Sequence, residues 1–223
     1  MNRPPLAVLV RVPLRAGASG RERVASQREH AGFALTAAAR RSGAELGALR
    51  HDPLGAPLPS NGWHRSLTHA RGLAAAALHR APLGIDVERP RPLSAERIEA
   101  VLSAAEIEVL GELDELGFAR AWTAKEAVLK KAGAGLLELS SCVLVGREGR
   151  ELLLVEHRGR LHEVWQRAVH AHVVAISFDG SPPATPPRWL TAQPGCGLGA
   201  SQAQEPSRGS AAAKPAGLAA RRG

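Results

Sequence analysis

Apolar positions change their spacing several times along this chain, and each change marks an element. Residues 6–12, Leu-Ala-Val-Leu-Val-Arg-Val, form an apolar run of strand length. The run lacks the length and small-residue cleavage site of a signal peptide, so it reads as an edge strand. Residues 19–43 switch to helical spacing and close on Gly43. Residues 51–62, with their Pro, Gly and Asn, read as a loop. Short strands follow at 63–69 and 73–80 around a turn at Arg71-Gly72, although the alanines of the second blur its period. A third strand spans 82–88, and Arg-Pro-Arg-Pro then turns the chain. Helices resume after Ser94. Ser103 and Glu106 have capping-box spacing ahead of an apolar stretch. Residues 118–133 are a strong helix stopped by Gly133 and Gly135. Four apolar runs joined by Gly turns then predict antiparallel strands up to Phe178.

The order of elements predicts an α+β fold of two similar halves, residues 1–82 and 83–180, each a small antiparallel sheet with packed helices. From residue 181 the chain is rich in Pro, Gly, Ala and Ser, which predicts a disordered tail over 181–223.

Composition narrows the function. The chain has 223 residues, enough to bury a core, and no apolar run long enough to span a membrane. Two cysteines, Cys142 and Cys196, argue against a disulfide framework and point to a reducing cytoplasm. The net charge of +8 is divided about equally between the body and the tail. A mildly basic body suits a polyanionic small ligand or an acidic protein partner. No basic stripe is interleaved with aromatics, which argues against nucleic acid.

The distribution of lysine is uneven. The chain has 25 Arg and four Lys, and Lys125, Lys130 and Lys131 share one helix. A lysine is a compact point donor that can take part in proton transfer, whereas an arginine is a permanently charged fork. Trp122, Lys125, Glu126, Leu129 and Lys130 recur at helical spacing and predict one shared face. In the strand before it, Asp86 and Glu88 are two apart, so both carboxylates leave from the same side. A solvated acidic pair and an ordinary amphipathic helix would show the same spacings. Taken together, the two segments offer three carboxylates for one Mg2+ and two ammonium groups for a pyrophosphate, the chemistry of phosphoryl-type transfer.

Gly-Ile-Asp-Val-Glu at 84–88, followed by Trp-Thr-Ala-Lys-Glu-Ala-Val-Leu-Lys-Lys-Ala-Gly at 122–133, resembles the 4'-phosphopantetheinyl transferases of the longer, pseudo-dimeric type. Ser66-Leu67-Thr68-His69 resembles a third signature of that family, and Gly55-Ala56-Pro57 stands at its Gly-x-Pro turn. The resemblance implies transfer of the phosphopantetheine arm of coenzyme A to a serine of an acyl or peptidyl carrier protein, with adenosine 3',5'-bisphosphate released. It implies Asp86, Glu88 and Glu126 as Mg2+ ligands and Lys125 and Lys130 on the phosphates. It implies Glu126 and Lys130 as the groups that act in catalysis, and His69 with the backbone of Ser66, Leu67 and Thr68 at the 3'-phosphate end. The implied partners are coenzyme A and an acidic carrier protein, and the implied molecule is a cytoplasmic monomer. Gly32-Phe33 stands where the family often has Gly-Arg, and Ala56 where a base is frequent. A chain that binds coenzyme A or carrier protein without transfer is the alternative reading.

Overall fold

The computed structural model describes residues 3–179 and 185–194 of the protein. The elements are β1 (Leu6–Arg11), α1 (Gly20–Ser42), β2 (His64–Ala70), β3 (Leu73–His79), β4 (Leu83–Glu88), α2 (Ala95–Glu99), α3 (Ala104–Leu110) and α4 (Glu115–Ala132). A 3-10 turn (Leu136–Ser141) leads into β5 (Cys142–Glu148), β6 (Leu152–His157), β7 (Arg160–Val169), β8 (His172–Phe178) and β9 (Arg188–Ala192). This is an α+β architecture, and its pairings are antiparallel except that of β1 with β9.

Two sheets organise the chain. The first has order β2-β3-β1-β9 and the second β4-β8-β7-β6-β5. Helix α1 covers one face of the first sheet and α4 covers one face of the second. A third apolar cluster lies between the sheets, formed by residues such as Leu9, Leu73, Ile85, Val87 and Ile176. Strand β3 is therefore buried on both sides, which explains its alanine run. Small side chains let α1 approach through Ala31, Ala34, Ala37 and Ala38, themselves buried. The blurred period reflects a strand covered on both faces, not a different element.

Local signals hold at the helix ends. Ser19 and Glu22 form a capping box on α1, and Ser103 and Glu106 form another on α3. Gly43 and Gly133 close α1 and α4 in the left-handed region, which glycine reaches without steric cost.

Two expectations are corrected. The tail expected to be disordered over 181–223 contains β9, which pairs in parallel with β1 from Arg188 opposite Leu6 to Ala192 opposite Val10. Trp189, Leu190 and Ala192 give this short segment an apolar content that its Pro- and Gly-rich flanks conceal, and they pack on the cores of the first sheet. Residues 180–184 and 195–223 lie outside the described residues. Strand β1 is consequently an inner strand, not an edge, because β9 takes up its open side. Among the described residues, no helix is long and apolar enough to cross a membrane.

Candidate functional site

The strand β4 alternates two chemistries. Leu83, Ile85 and Val87 enter the core between the sheets. Gly84, Asp86 and Glu88 face the other way, towards α4. The approach of α4 is set at Gly84: a Cβ there would lie 2.0 Å from the carbonyl oxygen of Ala127 and 2.6 Å from the amide nitrogen of Lys131. Only a residue without a side chain admits the helix this closely, and that contact carries Glu126 and Lys130 to the Asp86 side of the strand.

The edge of β4 opposite β8 meets β2, and side chains join them. The Ser66 hydroxyl accepts from Ile85 N–H at 3.1 Å. The Thr68 hydroxyl accepts from Val87 N–H at 3.3 Å and donates to Asp86 Oδ1 at 2.9 Å. Two hydroxyls at strand spacing thus satisfy edge amides that would otherwise be buried without partners. The hydroxyls of the Ser-Leu-Thr-His segment first hold the two sheets together. Ser66 is outside the cleft lining, whereas Leu67, Thr68 and His69 line it.

The cleft has a volume of about 870 Å3. Its walls are Gln27 from α1, the end of β2 through Arg71, the chain from Asp86 to Pro92, and Trp122, Glu126 and Lys130 from α4. Lys130 Nζ donates to Asp86 Oδ1 at 2.6 Å and to Ile85 O at 3.3 Å. Glu88 is tied to the strap that follows it, accepting from Arg89 N–H at 3.1 Å and from Arg91 Nη2 at 2.8 Å. Burial pushes the Asp86 carboxyl above its ordinary value, opposed by Lys130 and Thr68. Burial also raises Glu126, and the charges of Asp86 and Glu88 raise it further against the pull of Lys130. The His69 imidazole is held below its ordinary value by burial and by the nearby cations Arg28 and Lys130.

One expectation fails at this helix. Lys125 does not reach the cleft; it is 2% exposed. Its Nζ donates to Val101 O at 2.6 Å and pairs with Glu106 Oε1 at 2.6 Å. Glu106 also accepts from Leu144 N–H at 2.8 Å and from Ser103 N–H at 2.9 Å. The chain from Val101 and Leu102 into α3 closes over that side of α4, so a position that shares a helical stripe with Glu126 becomes buried core. Lys125 is a buried post, not a phosphate ligand.

Residues 82–179 match the family model of the 4'-phosphopantetheinyl transferase superfamily. That segment is similar to the domain of that superfamily. Over 88 residues the chain is also 33% identical to a 4'-phosphopantetheinyl transferase psf-1 of Bacillus pumilus, a match covering 38% of this chain and 37% of that protein. The chain thus spans just over a third of the length of the curated relative that it matches.

The matched segment supplies the acidic wall and α4, and β2 from outside it supplies the opposite wall. The donor set suits a hard divalent ion in kind: three carboxylates face one cleft, and a cation there would offset the burial and, after it, the like charges that raise Glu126. Among the described residues, however, no three acidic, His or Cys groups stand close enough together to hold an ion. Lys130 and Arg91 are the cations that contact Asp86 and Glu88.

Sequence reasoning missed Gln27, Arg71, Arg89 and Arg91 as cleft residues. In a chain with 25 Arg, composition hides them. The alternating Arg-Pro-Arg-Pro next to the acidic pair was the available signal, since prolines stiffen the strap that presents both arginines. Arg65 of β2 likewise has a role that no local spacing announces. It is buried and pins the preceding loop, donating to Leu58 O at 2.6 Å and Arg50 O at 2.8 Å.

Proposed function

We propose that this protein transfers the 4'-phosphopantetheine group of coenzyme A to a serine of an apo carrier protein, with Mg2+ as cofactor. The observation that carries the reading is the cleft itself, in which Asp86, Glu88, Glu126, Lys130 and His69 meet although they come from three separate stretches of chain. The superfamily match over 82–179 supports it.

Asp86, Glu88 and Glu126 are the residues that would hold Mg2+. Bound there, the ion would polarise the phosphoryl oxygens and offset pyrophosphate charge. Lys130 places a point charge beside the same phosphates and stabilises the leaving group. The serine oxygen attacks the phosphorus that bears the pantetheine arm, and Glu126 takes the serine proton. A carboxyl raised towards neutrality by burial is the better acceptor. The bond from that phosphorus to the bridging oxygen breaks, and adenosine 3',5'-bisphosphate leaves. His69 and the neighbouring backbone of Leu67 and Thr68 face the 3'-phosphate end, joined there by Arg71. The two sheet-and-helix units are halves related by an approximate two-fold. The basic body steers an acidic carrier protein to the cleft, and the protein works as a cytoplasmic monomer.

The test is the mass of an apo carrier protein after incubation with coenzyme A, Mg2+ and the protein. A gain of one phosphopantetheine group is expected, and it disappears in Asp86→Ala and Glu126→Ala. No gain with acyl and peptidyl carriers alike overturns the reading in favour of a chain that binds without transferring.

A further inference from the structure

A second cleft opens at the other end of α4. Its volume is about 790 Å3, close to that of the first, and it is lined by Arg120, Arg147, Arg150 and Arg167. Arg120 is fixed in place: its Nε donates to Gln166 Oε1 at 2.9 Å and its Nη2 to Arg150 O at 2.8 Å. Gln166 is 4% exposed. It donates in return from Nε2 to Arg120 O at 2.7 Å and to Thr123 Oγ1 at 3.3 Å, so the amide that aims Arg120 is itself locked. Arg147 is anchored through Nη1 on Leu110 O at 2.6 Å.

These anchors leave donors over. A guanidinium has five N–H groups, and the bonds just named engage two on Arg120 and one on Arg147. Burial lowers the Arg120 pKa, and the charges of Arg147 and Arg150 lower it further, so these guanidiniums repel one another. Cations held together in this way are relieved by a bound anion, and a planar fork matches phosphate oxygens in pairs. Acidic groups also stand at this cleft. Asp114 is already engaged, accepting from Gly117 N–H at 2.6 Å as the cap of α4, while Glu112 and Glu151 are exposed. Leu116 and Val173 add apolar surface to the lining.

We propose that this second cleft binds a phosphate monoester, its phosphate held by Arg120, Arg147 and Arg150 and its organic part against Leu116 and Val173. The site is separate from the proposed transfer cleft: Arg120 and Leu116 line one, and Trp122, Glu126 and Lys130 line the other. The cleft is larger than a bare phosphate needs, which favours an ester over the free ion.

Isothermal titration calorimetry of the full chain with phenyl phosphate and with inorganic phosphate tests this. Phenyl phosphate should bind several-fold more tightly than inorganic phosphate. Arg147→Gln/Arg150→Gln should weaken phenyl phosphate by at least about tenfold, as expected for lost charge-assisted bonds, while Lys130→Gln leaves it unchanged. If the double variant unfolds, Arg150→Gln alone, whose side chain is exposed, should still weaken binding by about tenfold. Equal affinity for the two probes overturns the ester assignment. Binding lost in Lys130→Gln but kept in the arginine variants places the anion in the first cleft and overturns the site, as does the absence of binding in the wild-type protein.

Discussion

Lys125 and Lys130 stand on one helix, and each places its ammonium 2.6 Å from a carboxylate oxygen. Their surroundings are opposite. The side chains of Lys125 and Glu106 are 3% and 5% exposed, and apart from the Ser103 hydroxyl their remaining bonds go to backbone. The side chain of Lys130 is 31% exposed and lines an open cleft, although its partner Asp86 is only 8% exposed. The same pair of groups at the same distance is a structural post in one place and an accessible charge in the other. What differs is the closure around the pair: only a charge that a ligand can reach can act on one.

The sharpest way to break this comparison is to remove each ammonium in turn. Lys125→Met should cost about 3–5 kcal/mol of stability by denaturant titration, because it leaves the Glu106 charge buried without its partner. Any activity should persist in the fraction that remains folded. Lys130→Ala should reduce carrier loading by about 100- to 1,000-fold, the usual consequence of losing one preorganised charge. Its stability cost should be smaller, about 1–2 kcal/mol, because Asp86 keeps its bond to Thr68 and its burial-raised carboxyl can take up a proton when the ammonium is gone. Equal stability losses in the two variants would show that the distinction between post and accessible charge is wrong.

Gly84→Ala should affect both properties at once. A methyl group 2.0 Å from Ala127 O must push α4 off β4. About 1–3 kcal/mol of stability should be lost to overpacking, and carrier loading should fall by about 100-fold as Glu126 and Lys130 move away from Asp86. A crystal structure of the variant with α4 unmoved would refute this account of how the site is set.

The third lysine of α4 sharpens the comparison through pH. Lys131 Nζ lies 2.6 Å from His162 Nδ1 and 2.9 Å from Asp179 Oδ1, again in a buried setting. Burial and the charge of Lys131 lower the His162 pKa from 6.5 to about 4. Between pH 6.5 and 4 the unfolded chain takes up a proton that the folded chain refuses, so stability falls as pH drops through this window and is unaffected above it. The loss should be on the order of 2 kcal/mol. Thermal unfolding of His162→Gln across the same range should show a correspondingly shallower slope, and an identical slope would count against the assignment.

How much of this was legible beforehand depends on how local each signal was. The capping box at Ser103 and Glu106 could be read from four adjacent residues, and it is there. That the same Glu106 is the counterion of Lys125 and the acceptor for Leu144 could not, because those partners lie 19 and 38 residues away. The Asp86 and Glu88 pair shares a face of β4 as strand alternation requires, and both residues line the cleft with Glu126. The resemblance assigns the backbone of Ser66 and Thr68 to a nucleotide contact, and the bonds of their hydroxyls to β4 are visible only once two strands from different sheets lie edge to edge. Strand β9 was hidden for a similar reason: five residues in a Pro-rich stretch have no strand signal of their own and acquire order from the open edge of β1.

The sequence alone determined the periods: where the chain would coil or extend, which carboxylates share a side of β4, and that Glu126 and Lys130 share a side of α4. Those follow from backbone geometry, which repeats every two or 3.6 residues whatever lies nearby. Only the tertiary structure decided which lysine is sealed and which faces the cleft, how closely α4 approaches Gly84, and which arginines gather into clefts. Those depend on what residues distant in the chain bring against each face, and a period carries no information about a partner.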